Sequence, residues 1–456
     1  MDENRDMDRR EMRRRRRVRN QIIAYISLAV IVVAIVVGAI VTVQHFTKKS
    51  ADKKQKEELA KQLEELEENE EPVTISEPES VEVNPLDAKI DACIAEMPLE
   101  DKVAGLFMIT PEALTGVGTA IKAGDGTKEA LNQYAVGGLV YFSKNIQSQE
   151  QLTEMLANTK MYSKYPIFLG VDEEGGEVSR VADANIGAEN VGSMADVGVG
   201  GDAQKAYDAG KTIGTYLSGY GFNLDFAPVA DVLTNGDNKT IGSRSFGTDA
   251  AVVASMIPSL VTGMEETGIS SCLKHFPGLG DTTVDTHDGM ATTERTLEQF
   301  QAEEFTAFQA GIDAGADFVM VGHVSAPALT GDNTPASISK EVVGILRNDL
   351  GFEGIVITDA LNMKAITEYY TSDEAAIKAI QAGADMILMP EDFEAAYNGV
   401  LQAVQEGTIS EERINESLKR IYRVKYANSV EDSTSESVEE STSESVEESI
   451  EDNSAE

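Results

Sequence analysis

Residues suited to acid–base chemistry are concentrated between Lys274 and His287, a stretch that holds two of the four histidines of this 456-residue chain. An apolar run, Ile269 to Leu273, precedes the stretch and predicts a buried strand that ends in Lys274 and His275. Two glycines then interrupt regular structure, and the loop that follows carries Asp285 and His287. A carboxylate beside an imidazole can orient the ring, and imidazole titrates near neutral pH. The stretch therefore predicts one part of an active site, with a group that can give and take a proton.

Polar side chains follow other predicted strands as well. If these strands are parallel, their carboxyl ends meet at one rim, where carboxylates can accept hydrogen bonds from hydroxyl groups and cations can donate to oxygens. Such a rim suits a polar, polyhydroxylated ligand. The candidates beyond the central stretch are Asp172 and Arg180, Asp231 and Arg244, His323, and Asp359.

Each of these side chains also has a purely structural interpretation. Asp172 could cap a helix, and the two arginines could form surface ion pairs worth about 0–1 kcal/mol. Asp231 and Asp359 could be structural carboxylates, and His323 could be a hydrogen-bonded histidine of the protein interior. Lys274 is harder to explain in this way, because an unpaired lysine directly after a buried strand is costly and needs a partner or a ligand. Taken together, the residues favour a site.

Short apolar runs alternate with helical patterns between residues 85 and 428, which predicts a parallel sheet with helical crossovers. Eight repeats over ~340 residues favour a (β/α)8 TIM-like barrel. A doubly wound open sheet is the alternative, but no Gly-x-Gly-x-x-Gly turn or Walker loop follows the strands. The expected strands are Leu106–Ile109, Gly138–Phe142, Ile167–Val171, Phe222–Ala227, Ser270–His275, Phe318–Val321, Gly354–Ile357 and Met386–Met389, and the clearest helical patterns are Glu150–Lys160, Ala203–Ser218, Ala251–Thr267, Leu297–Ala314, Lys340–Leu350 and Asp373–Ala382.

The N-terminal segment predicts an attachment to a membrane. Residues 1–20 are rich in arginine, and residues 21–43 contain no charged side chain, so this run is long enough to span a bilayer as one transmembrane helix. The arginines place residues 1–20 in the cytoplasm and the catalytic part outside, as a single-pass protein of the cell membrane. A cleaved signal peptide has a shorter apolar core, and a buried core helix would not follow an arginine cluster. Residues 44–84 predict a helical stalk and linker.

The C-terminal residues 429–456 predict a disordered acidic tail. The sequence Ser-Thr-Ser-Glu-Ser-Val-Glu-Glu occurs twice, at 433–440 and 441–448, and no Lys or Arg lies in this segment. Such a segment cannot bury enough apolar surface to become ordered. The formal charge of the whole chain is −40, which argues against a nucleic-acid partner. Cys93 and Cys272 give no disulfide framework, and no spacing indicates a metal site or a cofactor loop.

The motifs of residues 85–428 resemble glycoside hydrolase family 3, specifically its β-N-acetylglucosaminidase branch. Seven segments follow the family's order and together cover nearly all of this region. They are AVGGLVYFS at Ala135–Ser143, GVDEEGG at Gly170–Gly176, NLDFAPV at Asn223–Val229, IGSRSFG at Ile241–Gly247, KHFPG at Lys274–Gly278, DTH at Asp285–His287 and ITDAL at Ile357–Leu361.

The resemblance implies a retaining glycosidase on a single catalytic barrel, without a metal or a cofactor. Asp359 matches the nucleophile that forms a covalent glycosyl-enzyme, and His287 matches the general acid/base, paired with Asp285. The implied substrates are cell-wall-derived glycans that end in N-acetylglucosamine (GlcNAc), either oligosaccharides or muropeptides. The positions that match the family's sugar-binding residues are Asp172, Arg180, Arg244, Lys274 and His275.

Two positions depart from the family pattern, and alternatives to the implied activity stay open independently of them. Leu279 stands where many members have histidine, and Thr286 replaces a frequent serine. A β-N-acetylglucosaminide phosphorylase and a β-glucosidase are the alternatives within the enzyme interpretation. The non-enzymatic alternative is a membrane-anchored glycan-binding module, although binding alone does not require both a nucleophile and a proton carrier.

Overall fold

Parallel strands wrap into a nearly closed barrel at the centre of the fold. The computed structural model describes residues 84–427. Within this range the strands are β1 Phe107–Ile109, β2 Gly138–Tyr141, β3 Phe168–Val171, β4 Glu173–Gly175, β5 Val178–Ser179, β6 Leu224–Asp225, β7 Ser270–Phe276, β8 Phe318–Val321, β9 Ile355–Thr358 and β10 Ile387–Leu388.

Eight of the described strands pair side by side in parallel, in the order β10, β1, β2, β3, β6, β7, β8 and β9. The two ends of this order meet at a further parallel bridge, between Ile357 of β9 and Met386 beside β10. The strands β4 and β5 form a separate antiparallel hairpin directly after β3. Each of the eight predicted apolar runs overlaps one barrel strand, with ends that differ by at most two residues, so the expected barrel-like sheet is confirmed. The open-sheet alternative is wrong, because its edge strands would not meet.

Helices connect the successive barrel strands, and all six predicted helical patterns fall on them. The described α-helices are α1 Pro85–Glu96, α2 Leu99–Ala104, α3 Pro111–Thr115, α4 Asp125–Gln133, α5 Gln149–Tyr162, α6 Met194–Val197, α7 Ala203–Tyr220, α8 Ala250–Glu265, α9 Leu297–Ala302, α10 Glu304–Asp313, α11 Pro327–Thr330, α12 Lys340–Gly344, α13 Lys364–Thr367, α14 Ser372–Ala382 and α15 Phe393–Gln405, and residues 411–427 are also helical.

Two of the predicted helices are interrupted. The pattern Leu297–Ala314 becomes α9 and α10, separated at Glu303, where φ is −126° and ψ is −82°. This break lets Arg295 pair with Glu303 and brings its Nη2 to 3.1 Å from Oε2 of Glu304. The pattern Lys340–Leu350 begins as α12 and ends in a π-helical turn. A regular spacing of apolar residues predicts a helix but carries no information on such breaks, and the break at Glu303 accompanies an ion pair between this residue and Arg295.

Close contact between α7 and α8 explains two glycines in the α7 pattern. A Cβ at Gly210 would lie 2.3 Å from the carbonyl oxygen of Leu260, and a Cβ at Gly214 would lie 2.2 Å from Thr267 Oγ1. Larger residues would therefore push the two helices apart, since side-chain volume at the contact sets the distance between helix axes. Because α8 leads into β7, this contact helps to position the strand that carries Lys274.

Side chains fill the interior of the barrel below the ends of the strands. Phe168 of β3 and Phe318 of β8 meet edge to face, with ring centroids 5.0 Å apart. Met108 of β1 extends across the interior, and a Cβ at Gly170 would lie 2.6 Å from its Cε. The barrel is therefore a packed core, and a ligand is expected to bind at the end where the strands lead into loops.

Several predicted segments lie outside the described residues. They are the basic segment 1–20, the membrane span 21–43, the stalk and linker 44–84 apart from its last residue, and the acidic tail 429–456. Among residues 84–427, no helix is long and apolar enough to cross a bilayer. The anchor, stalk and tail therefore stay predictions from the sequence.

Candidate active site

A cavity of about 410 Å³ opens at the carboxyl ends of the barrel strands. Its polar wall contains seven of the ten candidate residues, all but Asp231, Asp285 and His323, and its apolar wall is made of aliphatic, aromatic and methionine side chains. The candidate residues in the wall are Asp172, Arg180, Arg244, Lys274, His275, His287 and Asp359, and the apolar residues include Val140, Phe142, Phe226, Met320, Met363, Leu388 and Met389.

Lys274 at the end of β7 is buried and doubly paired. Its Nζ donates to Asp172 Oδ1 at 2.7 Å and to Glu174 Oε1 at 2.6 Å. Glu174 also accepts from Arg244, with Oε2 2.7 Å from Nε and Oε1 2.8 Å from Nη2. The partner that a buried lysine requires is thus present as two carboxylates, and the four side chains form one network.

Opposite charges keep Glu174 and Lys274 ionised. Burial raises the pKa of Glu174, but Lys274 and Arg244 outweigh burial and hold that pKa at about 2. Burial lowers the pKa of Lys274, but Asp172 and Glu174 outweigh burial, so the lysine pKa lies above its usual range. At neutral pH the wall therefore presents charged N–H donors next to a carboxylate acceptor, which is the arrangement that binds a sugar hydroxyl.

Asp231 is fully buried and connects His275 to the loop that follows it. Its Oδ2 accepts from the backbone N–H of His275 at 3.1 Å and lies 2.7 Å from Nδ1 of the same residue. Its Oδ1 accepts from the backbone N–H of Leu279 at 2.6 Å. Because a carboxylate oxygen accepts, Nδ1 carries a proton and Nε2 is left for other interactions. Asp231 therefore positions a histidine of the cavity wall, a role that the sequence left open.

Asp359 follows β9 and is half-buried in the cavity wall. Its Oδ1 accepts from the backbone N–H of Ala360 at 2.8 Å. Burial raises the pKa of Asp359, but His323, His275 and this N–H outweigh burial, so the pKa lies below its usual value. The carboxylate is therefore ionised at neutral pH, as a nucleophile must be.

His323 lies behind Asp359 and is fully buried. Its Nε2 is 2.9 Å from the carbonyl oxygen of Ala360, and its Nδ1 is 2.7 Å from Ser337 Oγ. A carbonyl oxygen only accepts, so Nε2 carries the proton and Nδ1 accepts from the hydroxyl. Burial lowers the pKa of His323, which favours this neutral form. The interpretation of His323 as a hydrogen-bonded interior histidine is confirmed.

Asp285 and His287 form a pair on the loop between β7 and α9. Oδ1 of Asp285 accepts from the backbone N–H of His287 at 2.9 Å and lies 2.8 Å from its Nδ1. Burial raises the pKa of Asp285, but the hydrogen bonds from His287 outweigh burial, so the pKa lies below its usual value. The His287 side chain is 70% exposed. Since Asp285 holds Nδ1, Nε2 is the nitrogen that can exchange a proton with a ligand.

The loop that carries this pair is fixed at its start. A Cβ at Gly280 would lie 1.7 Å from the carbonyl oxygen of Val232, so only glycine fits there. The carbonyl oxygen of Leu279 accepts from Asn238 Nδ2 at 2.7 Å. The Leu279 side chain is 3% exposed and faces Gly322, where a Cβ would lie 3.7 Å from it. The leucine that departs from the family pattern therefore packs against the core at the base of the loop.

Glu174 is the contact residue that the sequence reasoning missed. It lies two positions after Asp172, and alternate residues of a strand share a face. Glu173 therefore points the other way, where it accepts the N–H groups of Val181 at 2.7 Å and Ala182 at 3.0 Å. The Asp-x-Glu spacing was the available signal, but which glutamate faces the cavity depends on the β4–β5 hairpin.

Arg180 differs from the other cations of the cavity wall. Its Nε is buried and has no hydrogen-bond partner among residues 84–427, so the guanidinium keeps donors for a ligand. In the same part of the chain, no group of three or more His, Cys, Asp or Glu side chains is placed to hold a metal ion. Cys93 and Cys272 are both free thiols.

Glu304 is fully buried beneath the start of the same loop. A Cβ at Gly278 would lie 2.5 Å from its Cγ. In the described region neither carboxyl oxygen has a hydrogen-bond partner, although Oε2 lies 3.1 Å from Nη2 of Arg295. Burial raises the pKa of Glu304 to about 8, and the charge of Arg295 only partly offsets this effect.

We expect Glu304→Gln to stabilise the protein at pH 7 to 8 and to leave its stability almost unchanged near pH 4. An unfolded glutamate ionises near pH 4.3, whereas Glu304 keeps its proton up to about pH 8 in the folded protein. Between these values the unfolded state binds fewer protons, so the free energy of unfolding falls by up to about 1.4 kcal/mol per pH unit. Urea unfolding across this pH range tests the slope, with the exposed Glu412→Gln as control. Equal slopes in wild type and Glu304→Gln would contradict the prediction.

Comparison with known proteins now identifies the family. The sequence profile of the glycosyl hydrolase family 3 N terminal domain matches residues 98–424. The chain belongs to glycosyl hydrolase family 3. The family match covers every residue of the cavity wall, and the resemblance seen in the sequence is confirmed.

Individual members of family 3 resemble the chain over most of its length. Beta-hexosaminidase A of Pseudoalteromonas piscicida is 31% identical over 325 residues, which make up 65% of this chain and 54% of that protein. Beta-hexosaminidase of Stenotrophomonas maltophilia is 34% identical over 297 residues, 63% of this chain and 86% of that protein. The solved structure of a family 3 beta-N-acetylglucosaminidase from Paenibacillus sp. str. FPU-7 superposes with a TM-score of 0.69 at 36% identity, and the alignment covers 74% of this chain and 63% of that one. The chain thus spans about half the length of the first relative and most of the second.

Proposed function

We propose that the protein is a retaining exo-β-N-acetylglucosaminidase that releases terminal GlcNAc from cell-wall-derived glycans. The observation that carries the proposal is the meeting of three groups at one cavity. These are the ionised Asp359, the Asp285–His287 pair, and the network around Lys274. Relatives of the chain that are named beta-hexosaminidase support the choice of sugar. A cavity whose floor is closed by the packed barrel suits a terminal sugar better than an internal one.

In the proposed reaction, the Asp359 carboxylate attacks the anomeric carbon while His287 Nε2 gives a proton to the departing glycosidic oxygen. The glycosidic bond breaks, a glycosyl ester forms on Asp359, and His287 becomes neutral. A water molecule then gives a proton to Nε2 and attacks the anomeric carbon, so that Asp359 leaves as a carboxylate. Asp285 keeps the ring oriented through both steps, because it binds Nδ1.

The remaining predicted residues would bind the sugar. Lys274 and Arg244 offer N–H groups to sugar oxygens, His275 offers its Nε2 to the sugar, and Asp172 offers an acceptor to sugar hydroxyls. Arg180 adds a guanidinium that no carboxylate of the described residues binds through a hydrogen bond. Binding by several fixed donors and acceptors would place the anomeric carbon beside Asp359, and such positioning accounts for a large part of enzymatic rate enhancement.

A panel of 4-nitrophenyl β-glycosides tests this function on the full chain. We expect kcat/KM to be highest for the β-GlcNAc substrate, at least about tenfold above the β-glucoside and β-xyloside, because a site that hydrogen-bonds one substituent rejects analogues that lack it. The first sugar released should have the β configuration by NMR, and added phosphate should not raise the rate. Formation of GlcNAc-1-phosphate would indicate a phosphorylase, a preference for glucoside would indicate a β-glucosidase, and binding without turnover would indicate a glycan-binding module.

We further propose that residues 21–43 anchor the enzyme in the cell membrane, with residues 1–20 in the cytoplasm and the barrel outside. An uncharged run after an arginine cluster supports this orientation, and it would bring the barrel to the cell wall. The full chain should stay in the membrane fraction after extraction at alkaline pH, and protease added to intact spheroplasts should cleave the barrel. Extraction into the soluble fraction would contradict the anchor, and protection from protease would contradict the orientation.

A further inference from the structure

Glu174 has no part in the reaction outlined above, yet it lies enclosed in the cavity wall, with 1% of its side chain exposed. Its two oxygens accept three hydrogen bonds, from Lys274 Nζ at 2.6 Å, Arg244 Nη2 at 2.8 Å and Arg244 Nε at 2.7 Å. Little acceptor capacity is left for a sugar. Any effect of Glu174 on a ligand must therefore pass through the two cations.

Both cations keep donors for a ligand after these bonds are made. Lys274 has three N–H groups, and two of them bind Asp172 and Glu174. Arg244 has five N–H groups, of which two bind Glu174 and one binds the carbonyl oxygen of Thr240 at 3.0 Å. One donor of the lysine and two of the arginine remain in the cavity wall. The carboxylate of Glu174 fixes the side chains from which these donors project.

Glu174 also allows two positive charges to lie side by side. Without it, Lys274 and Arg244 would repel each other with only Asp172 bound to the lysine. Removing one partner of a buried ion pair leaves an uncompensated charge, which is strongly destabilising. A long, flexible side chain responds to such repulsion by moving away, so the donors would lose their common geometry.

The backbone at Glu174 is fixed independently of the cations. It lies in β4, which pairs with β5, and the neighbouring Glu173 binds two N–H groups on the opposite face. At the turn, Gly176 has a φ of +62°, and a Cβ there would lie 2.9 Å from the Cα of Ser193. A carboxylate on a rigid hairpin can hold flexible side chains in one arrangement.

We propose that Glu174 is a positioning residue, whose carboxylate holds Lys274 and Arg244 in the arrangement that binds the terminal sugar without contacting the sugar itself. The inference rests on the proposed function, because it assigns a task to the sugar-binding end of that site. It adds Glu174 as a residue that sets affinity for the sugar through other side chains.

A double-mutant cycle on the full chain tests this role, with Glu174→Gln, Arg244→Met and the double variant assayed on 4-nitrophenyl β-GlcNAc. Each single variant should lose about 10²-fold in kcat/KM, mainly through a higher KM, because misplaced positioning groups cost about this much. The double variant should lose more than Arg244→Met alone, because Lys274 also loses its partner, but clearly less than the product of the two single losses, because part of the effect of Glu174 passes through Arg244. Calorimetric titration with free GlcNAc should show weaker binding in each variant.

Glu173→Gln is the matched control, because it removes an adjacent carboxylate that binds only the hairpin and Tyr216. We expect it to lower the unfolding temperature and to change KM less than about threefold, since it leaves the cations paired. An equal rise in KM for Glu173→Gln, a wild-type KM for Glu174→Gln, or losses that multiply in the double variant would each overturn the inference. If Glu174→Gln does not fold, Glu174→Asp is the substitute. It keeps the negative charge but, because its side chain is one methylene shorter, places the carboxylate farther from Lys274 and Arg244, so it should also raise KM.

The two proposals fail in different ways. A wild-type chain that hydrolyses no β-GlcNAc substrate would refute the proposed function, and calorimetry with GlcNAc would still decide whether Glu174 sets sugar affinity. A wild-type chain that turns over normally while Glu174→Gln binds GlcNAc equally well would refute only the inference.

Discussion

Replacing Asp359 with alanine should abolish hydrolysis of 4-nitrophenyl β-GlcNAc almost completely, with a loss in kcat of at least about 10⁴-fold. The carboxylate is ionised, because His323, His275 and the Ala360 N–H hold its pKa below the usual value although burial raises it. It is also the carboxylate of the cavity wall that no lysine or arginine binds in the described part of the chain. Without it, no covalent intermediate can form and the reaction loses its first step.

Azide makes this experiment diagnostic. A small anion can enter the space left by the Asp359 carboxylate and attack the anomeric carbon directly, so azide should restore turnover and give an α-glycosyl azide. Asp313→Ala, which removes an exposed carboxylate on α10, should keep wild-type activity with or without azide. Full activity in Asp359→Ala, or a loss that azide cannot rescue in a folded variant, would remove Asp359 from the role of nucleophile.

Replacing His287 with alanine should produce a loss that depends on the leaving group. For alkyl β-GlcNAc substrates, whose leaving oxygen needs a proton, kcat/KM should fall by about 10²–10⁴-fold. For 2,4-dinitrophenyl β-GlcNAc the first step needs no proton, so kcat/KM should fall less than about tenfold. Asp285→Asn should give a smaller loss in the same pattern, because the amide oxygen of asparagine still accepts from Nδ1 but no longer carries the negative charge that stabilises a protonated ring.

The configuration of the azide product distinguishes His287→Ala from Asp359→Ala. In His287→Ala the glycosyl ester on Asp359 still forms, and azide should attack it from the opposite face to give a β-glycosyl azide. Asp288→Ala is the control on the same loop. Its exposed carboxylate forms a surface ion pair with Lys364 at 3.5 Å, so we expect kcat/KM to change less than about threefold. Equal losses for all leaving groups, or an equal loss in Asp288→Ala, would show that loop order rather than proton transfer explains the effect.

The sequence by itself determined the position of the barrel strands and most of the site. Short apolar runs must be buried on both faces, so they mark parallel strands. Polar residues directly after such runs mark the rim. For this reason Asp172, Lys274, His275 and Asp359 could be placed without coordinates, and all four line the cavity.

Only the tertiary structure decided which of these groups touch one another. Lys274 and Asp172 are 102 positions apart, and no local pattern reports a contact over that separation. Glu173 and Glu174 are the same residue type, so the sequence does not distinguish them. The pairing of β4 with β5 turns Glu173 toward backbone N–H groups beyond the hairpin and Glu174 toward Lys274 and Arg244. Asp231 became a positioning residue in the same way, because the fold brings it to His275. Residue type and the spacing of apolar residues determine which side chains are buried or lie at the rim of the barrel. The distances between catalytic groups, and the charges around them, arise from packing between segments that are distant in the sequence.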